Sequence, residues 1–152
     1  MPALLLEMLG DGRWRHPGER ALDRVMPWRY EPLQLFMTTD KMETETADLR
    51  RVTEDDELAR IFWVARRSTQ IAPAGLPWLD IDLALLVGGA RYSDCISIAL
   101  DYRTDADDPQ VVVFGEEMVD LHQASRWHRG WRVVAPTFSA FAAALNLSSP
   151  AG

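Results

Sequence analysis

The chain has 152 residues, of which 23 are acidic, 16 are basic and three are histidine, so its formal net charge is −7. The 47% apolar and 26% charged residues are typical of one globular domain and exclude disordered, collagen-like and coiled-coil chains. The acidic balance argues against nucleic-acid binding through a basic surface. Cys95 is the only cysteine, so the chain forms no internal disulfide.

Helices are predicted in the first half of the chain. Apolar side chains over residues 4–9 share one helix face, and a Gly-Asp-Gly segment ends that helix. An aspartate followed three residues later by a glutamate is a capping-box variant, and it predicts a helix over residues 40–52. Thr53 can cap a further helix, whose apolar face consists of Leu58, Ile61, Phe62 and Ala65. Prolines and glycine over residues 68–79 indicate a loop.

Strands are predicted in the second half. The apolar run over residues 84–87 suits a buried strand, and Gly88-Gly89 is interpreted as the turn that closes it. Residues 96–100 alternate apolar and small side chains, which favours a central strand. After a polar turn over residues 104–109, the β-branched residues 110–114 predict the second strand of a hairpin with a long acidic tip.

A last strand and one helix are predicted to close the domain. Residues 131–135 form the candidate strand, and Pro136 ends it because proline cannot donate to a sheet. The helix that follows presents Phe138, Phe141, Ala142 and Leu145 at helical spacing. We therefore expect an α+β fold with a mostly antiparallel sheet, N-terminal helices and one closing C-terminal helix, in a single domain over residues 1–152.

Negative charge is concentrated late in the chain. Residues 101–120 carry seven acidic side chains against Arg103 alone. Such a block is either a solvated loop or a docking surface for a basic protein, since complementary potentials speed association and exclude wrong partners. The predicted contact residues are Asp101, Asp105, Asp107, Asp108, Glu116 and Glu117.

No motif predicts a catalytic residue, a metal site or a cofactor. A calcium loop is disfavoured because Arg103 stands at the second ligand position and the turn has no glycine. His122 and His128 lack the closely spaced His or Cys partners of a zinc site. Gly88-Gly89 lacks the rest of a dinucleotide or phosphate loop, and Ser93 lies in no nucleophile elbow. Catalytic triads assemble in space, however, so a small hydrolase remains an alternative.

Three segments in the C-terminal half carry a family resemblance. They are Asp94-Cys95-Ile96-Ser97-Ile98-Ala99-Leu100-Asp101, then Asp108-Pro109-Gln110-Val111-Val112, and then Trp131-Arg132-Val133-Val134-Ala135-Pro136-Thr137-Phe138 with Phe141 and Leu145. In these segments the chain resembles the SUKH superfamily, the cell-wall-synthesis-regulator-like proteins that include many bacterial immunity proteins. The resemblance covers residues 76–147, and the last segment is its most specific part.

This resemblance implies a noncatalytic domain that binds another protein. Many relatives are thought to neutralise a toxin encoded nearby, often a nuclease, and a basic toxin would suit an acidic partner. The leading hypothesis is therefore an intracellular immunity protein that blocks a cognate toxin. The alternatives are a cytoplasmic regulatory scaffold and, with less support, a small hydrolase.

A cytoplasmic location is expected. The longest apolar run near the start, residues 3–9, is interrupted by Glu7, so no secretory leader is predicted. No stretch approaches the roughly 20 apolar residues of a membrane-spanning helix. We expect neither a membrane partner nor a nucleic-acid partner.

Overall fold

The computed structural model describes residues 1–51, 79–93, 96–119 and 126–148, with the backbone alone for 50–51, 116–119 and 126–130. The α-helices of this described part are α1 (Ala3–Gly10), α2 (Glu19–Val25), α3 (Thr39–Arg51) and α4 (Phe138–Ala144). Its strands are β1 (Leu33–Leu35), β2 (Ala84–Ala90), β3 (Ser97–Asp101), β4 (Gln110–Val119) and β5 (Arg126–Ala135). A short 3-10 helix, Ile81–Leu83, leads into β2.

The five strands form one sheet in the order β1-β2-β3-β4-β5, and every neighbouring pair is antiparallel. Helices precede most of the sheet and α4 closes it, which confirms the predicted α+β class. The helix predicted from Thr53, most of the loop predicted over residues 68–79, and Cys95 lie outside the described residues.

Strand β1 was not predicted from the sequence, and it lies between α2 and α3. It has three residues, with Leu33 and Leu35 buried and Gln34 exposed. Three residues are too few to establish an alternating pattern in a sequence. Its pairing with β2, which places Leu33 opposite Ala90, is what fixes it as a strand.

The prediction that Gly88-Gly89 forms a turn was wrong, because both glycines lie inside β2. A Cβ atom on Gly88 would lie 2.7 Å from the carbonyl oxygen of Gln34, and one on Gly89 would lie 3.0 Å from that of Ile96. The backbone of β1 therefore leaves no room for a side chain at Gly88, and the backbone just before β3 leaves little at Gly89. Glycine marks a close backbone approach here and not a change of direction.

Helix α3 is fastened to the sheet through a buried threonine. The hydroxyl of Thr46 donates to the carbonyl of Met42 in the preceding turn and accepts a hydrogen bond of 2.9 Å from the Leu86 backbone N–H. Thr46 and Met42 are both buried. A hydroxyl can use both functions at once, so this polar group is satisfied inside the core.

The closing helix packs on the beginning of the chain. Thr137 caps α4 by accepting a hydrogen bond of 3.1 Å from the backbone N–H of Ala140. The ring of Phe138 lies 5.6 Å from that of Trp14, centre to centre, and the Trp14 indole donates to the carbonyl of Phe36. The predicted apolar face of α4 is thus confirmed as core, and it joins the two ends of the described fold.

Candidate functional site

The acidic turn between β3 and β4 lies at one end of the sheet. Asp101 ends β3 opposite Gln110, the first residue of β4. Asp101 is also opposite Ala84, where β2 begins. The Tyr102 backbone N–H donates to the carbonyl of Leu83, 2.9 Å away, so the 3-10 helix and the acidic turn lie side by side.

Asp101 is buried, with none of its surface exposed. Its carboxylate accepts hydrogen bonds from the Arg103 guanidinium at 2.7 and 2.9 Å, and from the Gln110 amide at 2.8 Å. Burial by itself would raise the pKa of Asp101, but the hydrogen bonds from Arg103 and Gln110 outweigh burial, and the pKa lies below its ordinary value. This carboxylate is turned inward onto its own arginine, which corrects the expectation that Asp101 contacts a partner.

Asp105 organises the tip of the turn. Its carboxylate accepts the backbone N–H groups of Asp107, at 2.8 Å, and of Asp108, at 3.2 Å. Those two hydrogen bonds lower the pKa of Asp105 although the residue is exposed. Such side-chain closure of a turn is characteristic of aspartate, and it fixes the backbone while leaving the negative charge in solvent.

Asp108 ties the same turn to helix α4. It accepts a hydrogen bond of 2.8 Å from the Ser139 backbone N–H and one of 2.5 Å from the Ser139 hydroxyl. Asp108 is half-buried, so it serves mainly to hold the turn. Asp107, by contrast, is exposed, and its side chain makes no hydrogen bond or ion pair within the described residues.

The remaining two predicted contact residues are far from this turn. Glu116 and Glu117 lie in β4, with backbone partners Arg129 and His128 in β5. From Gln110 to Glu116 is six residues of strand, or about 20 Å at 3.3 Å per residue. The predicted contact residues therefore fall into two groups, one at the acidic turn and one along β4. The side chains of the second group, Glu116 and Glu117, lie outside the described residues.

Three residues that the sequence did not single out lie beside the acidic turn. Asp80 caps the 3-10 helix by accepting from the Asp82 backbone N–H at 3.0 Å, and Asp82 is exposed. Leu83 follows with 46% of its surface exposed. Counting charges by segment did not reveal Asp80 and Asp82, because the segment that contains them has equal numbers of acidic and basic residues. The pairing of β2 with β3 places them at this end of the sheet. We call the group Asp80, Asp82, Leu83, Asp105, Asp107 and Asp108 the acidic end of the sheet.

Among residues 1–51, 79–93, 96–119 and 126–148, no three His, Cys, Asp or Glu side chains are grouped so that they could hold a metal ion. No helix in the same ranges has the length and apolar character to cross a membrane.

Comparison with known proteins identifies no relative of this chain. No protein-family model, no curated protein and no solved structure matches the chain. The resemblance to the SUKH superfamily rests on the three sequence segments given above.

Proposed function

We propose that the chain is a noncatalytic cytoplasmic binding protein that holds the acidic end of its sheet against a basic partner protein. The leading candidate for this partner is a cognate toxin, with nucleases as the first class to test. One observation carries the proposal. Asp105 and Asp108 hold the turn that carries Asp107 in place before any partner binds, so the negative charge of Asp107 has a fixed position. Preorganisation of this kind lowers the ordering cost of association.

The charge balance at this end supports a basic partner. Four aspartates there, Asp80, Asp105, Asp107 and Asp108, make no ion pair within the described residues, and Arg103, the one basic residue of the turn, is paired with the buried Asp101. The uncompensated charge is therefore negative. A surface potential of one sign steers an oppositely charged protein toward it and raises the association rate.

An exposed leucine supports a protein partner over a small cation. Leu83 is 46% exposed between Asp82 and the strand that follows it. Protein interfaces typically combine an apolar centre with a polar rim, and an exposed leucine among carboxylates has this composition. The partner surface would then present an apolar residue surrounded by arginine or lysine.

The choice of a toxin as partner comes from the resemblance to the SUKH superfamily. It is tested by expressing the product of the neighbouring gene alone and together with this chain. Rescue of growth by this chain is the expected result, and Asp107→Lys should weaken the rescue because it reverses an exposed, unpaired charge. Glu43→Lys, an exposed charge reversal on α3, is the matched control and should leave the rescue intact.

Two outcomes would contradict the proposal. If the product of the neighbouring gene is neither toxic nor bound by the purified chain, a cognate toxin is no longer supported as the partner. Stable binding to several host proteins in the absence of that product would favour the scaffold alternative. Equal loss of rescue in Asp107→Lys and Glu43→Lys would show that the acidic end has no particular part in binding.

A further inference from the structure

An open cleft lies toward the opposite end of β2 from the acidic end. Its volume is about 300 Å³, and it lies between α3 and the ends of β1, β2 and β3. Phe36, Leu86 and Ile96 are the buried part of its lining, and the surface that the lining exposes to solvent is mostly polar. Polar walls favour a ligand that makes many hydrogen bonds, because an apolar ligand would take these groups out of water without giving them a partner.

The charges around the cleft cancel. Glu45 lines it from α3, and its carboxylate is paired with Lys41. Arg91 also lines the cleft, and its charge is offset by the carboxylate of Glu31, which accepts a hydrogen bond from the hydroxyl of the lining residue Ser93. Among the described residues that line the cleft or bond to its lining, two acidic and two basic side chains therefore leave no net charge. A neutral ligand suits this balance better than an anion or a cation.

Several lining groups keep hydrogen-bonding capacity that the chain does not use. The Arg91 guanidinium and the Ser97 hydroxyl make no hydrogen bond within the described residues, so both are open donors. The Gln34 amide nitrogen donates to the Ala90 carbonyl at 3.3 Å, which holds the amide in place, while the Gln34 amide oxygen accepts no hydrogen bond from the same residues. Donors and acceptors together suit hydroxyl groups, because each hydroxyl can donate one hydrogen bond and accept others.

An exposed aromatic ring accompanies these polar groups. Tyr92 lines the cleft with 76% of its surface exposed. Its ring offers an apolar face next to hydrogen-bonding side chains. A pyranose sugar has the complementary build, because the C–H groups of its ring form an apolar face and its hydroxyl groups project from the edge.

We infer that this cleft binds a neutral sugar, with the C–H face of a pyranose ring on Tyr92 and the sugar hydroxyls on Arg91, Ser97 and Gln34. The inference goes beyond the proposed function and does not depend on it, since the cleft and the acidic end lie toward opposite ends of β2.

The first test titrates the ¹⁵N-labelled full chain with the methyl glycosides of glucose, galactose, mannose and N-acetylglucosamine. Sorbitol is the matched probe, because this linear polyol has the hydroxyl groups and lacks the ring face. At least one glycoside should shift the backbone amide signals of Gly88, Gly89 and Arg91, and sorbitol should leave them in place.

Substitutions then separate the ring from the guanidinium. Tyr92→Ala should weaken binding of the best glycoside about tenfold, and Tyr92→Phe, which keeps the ring, should bind as the wild type does. Arg91→Gln should weaken binding about tenfold, because a hydrogen bond from a charged group is lost. Arg24→Gln, an exposed arginine on α2, is the matched control and should bind as the wild type does. Tyr92 and Arg91 are both exposed, so these variants should fold.

Three results would overturn the inference. The first is that none of the four glycosides shifts the signals of the cleft, and the second is that sorbitol shifts them as strongly as the glycosides do. The third is that Tyr92→Ala binds as tightly as Tyr92→Phe, or Arg91→Gln as tightly as Arg24→Gln.

Discussion

The base and the tip of the acidic turn differ in how their charges are paired. At the base, Asp101 is buried and pairs with Arg103. At the tip, Asp105, Asp107 and Asp108 make no ion pair within the described residues. The sign of a surface is thus set by the charges that remain after internal pairing. A net charge of −7 describes the chain and does not describe each of its sites.

The largest expected effect on stability concerns Gly88, inside β2. Gly88→Ala should lower the free energy of unfolding by about 1–3 kcal/mol, because the added Cβ would meet the Gln34 carbonyl oxygen, a backbone atom that cannot move away alone. Chemical denaturation measures the change. Gly10→Ala is the control, since nothing lies within 4 Å of its added Cβ, and its stability should stay within about 0.5 kcal/mol of the wild type. Equal stability of the two variants would contradict the close approach.

A comparable effect is expected from the ion pair at the acidic end. Asp101→Ala should cost about 1–3 kcal/mol, because it leaves the half-buried Arg103 guanidinium and the Gln110 amide without their shared acceptor. Asp107→Ala, which removes an exposed and unpaired carboxylate of the same turn, should change stability by less than about 0.5 kcal/mol. Thermal unfolding of both variants measures the difference. A similar melting temperature for the two would contradict the inward role of Asp101.

The pH dependence of stability should report the same ion pair. The pKa of Asp101 is lowered in the folded chain, so the carboxylate adds stability above its unfolded pKa of about 4, and that stability is lost as the pH falls toward the folded pKa. Asp101→Asn should therefore show a shallower loss of stability between about pH 5 and pH 2. Urea unfolding across this range checks the slope, and parallel curves for wild type and variant would refute it.

A smaller effect on stability is expected at high pH from Tyr102, which is next to this ion pair in the sequence. Burial raises the pKa of Tyr102 to about 12, and its hydroxyl is buried with no hydrogen-bond partner among the described residues. Since the folded pKa lies above the unfolded value of about 10, stability should fall as the pH rises from about 10 to 12. Tyr102→Phe should remove this alkaline loss and keep the neutral-pH stability within about 1 kcal/mol. The difference in ultraviolet phenolate absorbance between wild type and Tyr102→Phe isolates this titration from those of Tyr30 and Tyr92, and a difference with its midpoint near 10 would contradict the burial.

The sequence predicted those elements in which many residues repeat one pattern. Helices α1 and α4 and the central strand have clear periodicity or a recognisable cap. The cap predicted for α3 was wrong, because the helix begins at Thr39 and the Thr38 hydroxyl, not Asp40, accepts a backbone N–H, that of Lys41. Strand β1 has only three residues, and it is specified by its partner strand. Gly88-Gly89 was misassigned because glycine serves both turns and close backbone contacts, and only the positions of β1 and β3 distinguish these roles.

The candidate site was predicted in part, because charge along a chain does not reveal which carboxylates face inward. Asp105 and Asp107 are exposed in the turn as expected, whereas Asp101 is buried. Asp82 and Leu83 join the site through the pairing of β2 with β3, which is a long-range contact. Local composition carries no signal for such a contact.

The association rate between this chain and the purified product of the neighbouring gene, measured from low to high salt, tests the central claim most directly. A preformed acidic surface predicts rapid association that slows as salt rises, and a slower, less salt-dependent rate for Asp107→Lys than for Glu43→Lys. Rates that are independent of salt and identical in both variants would contradict the account.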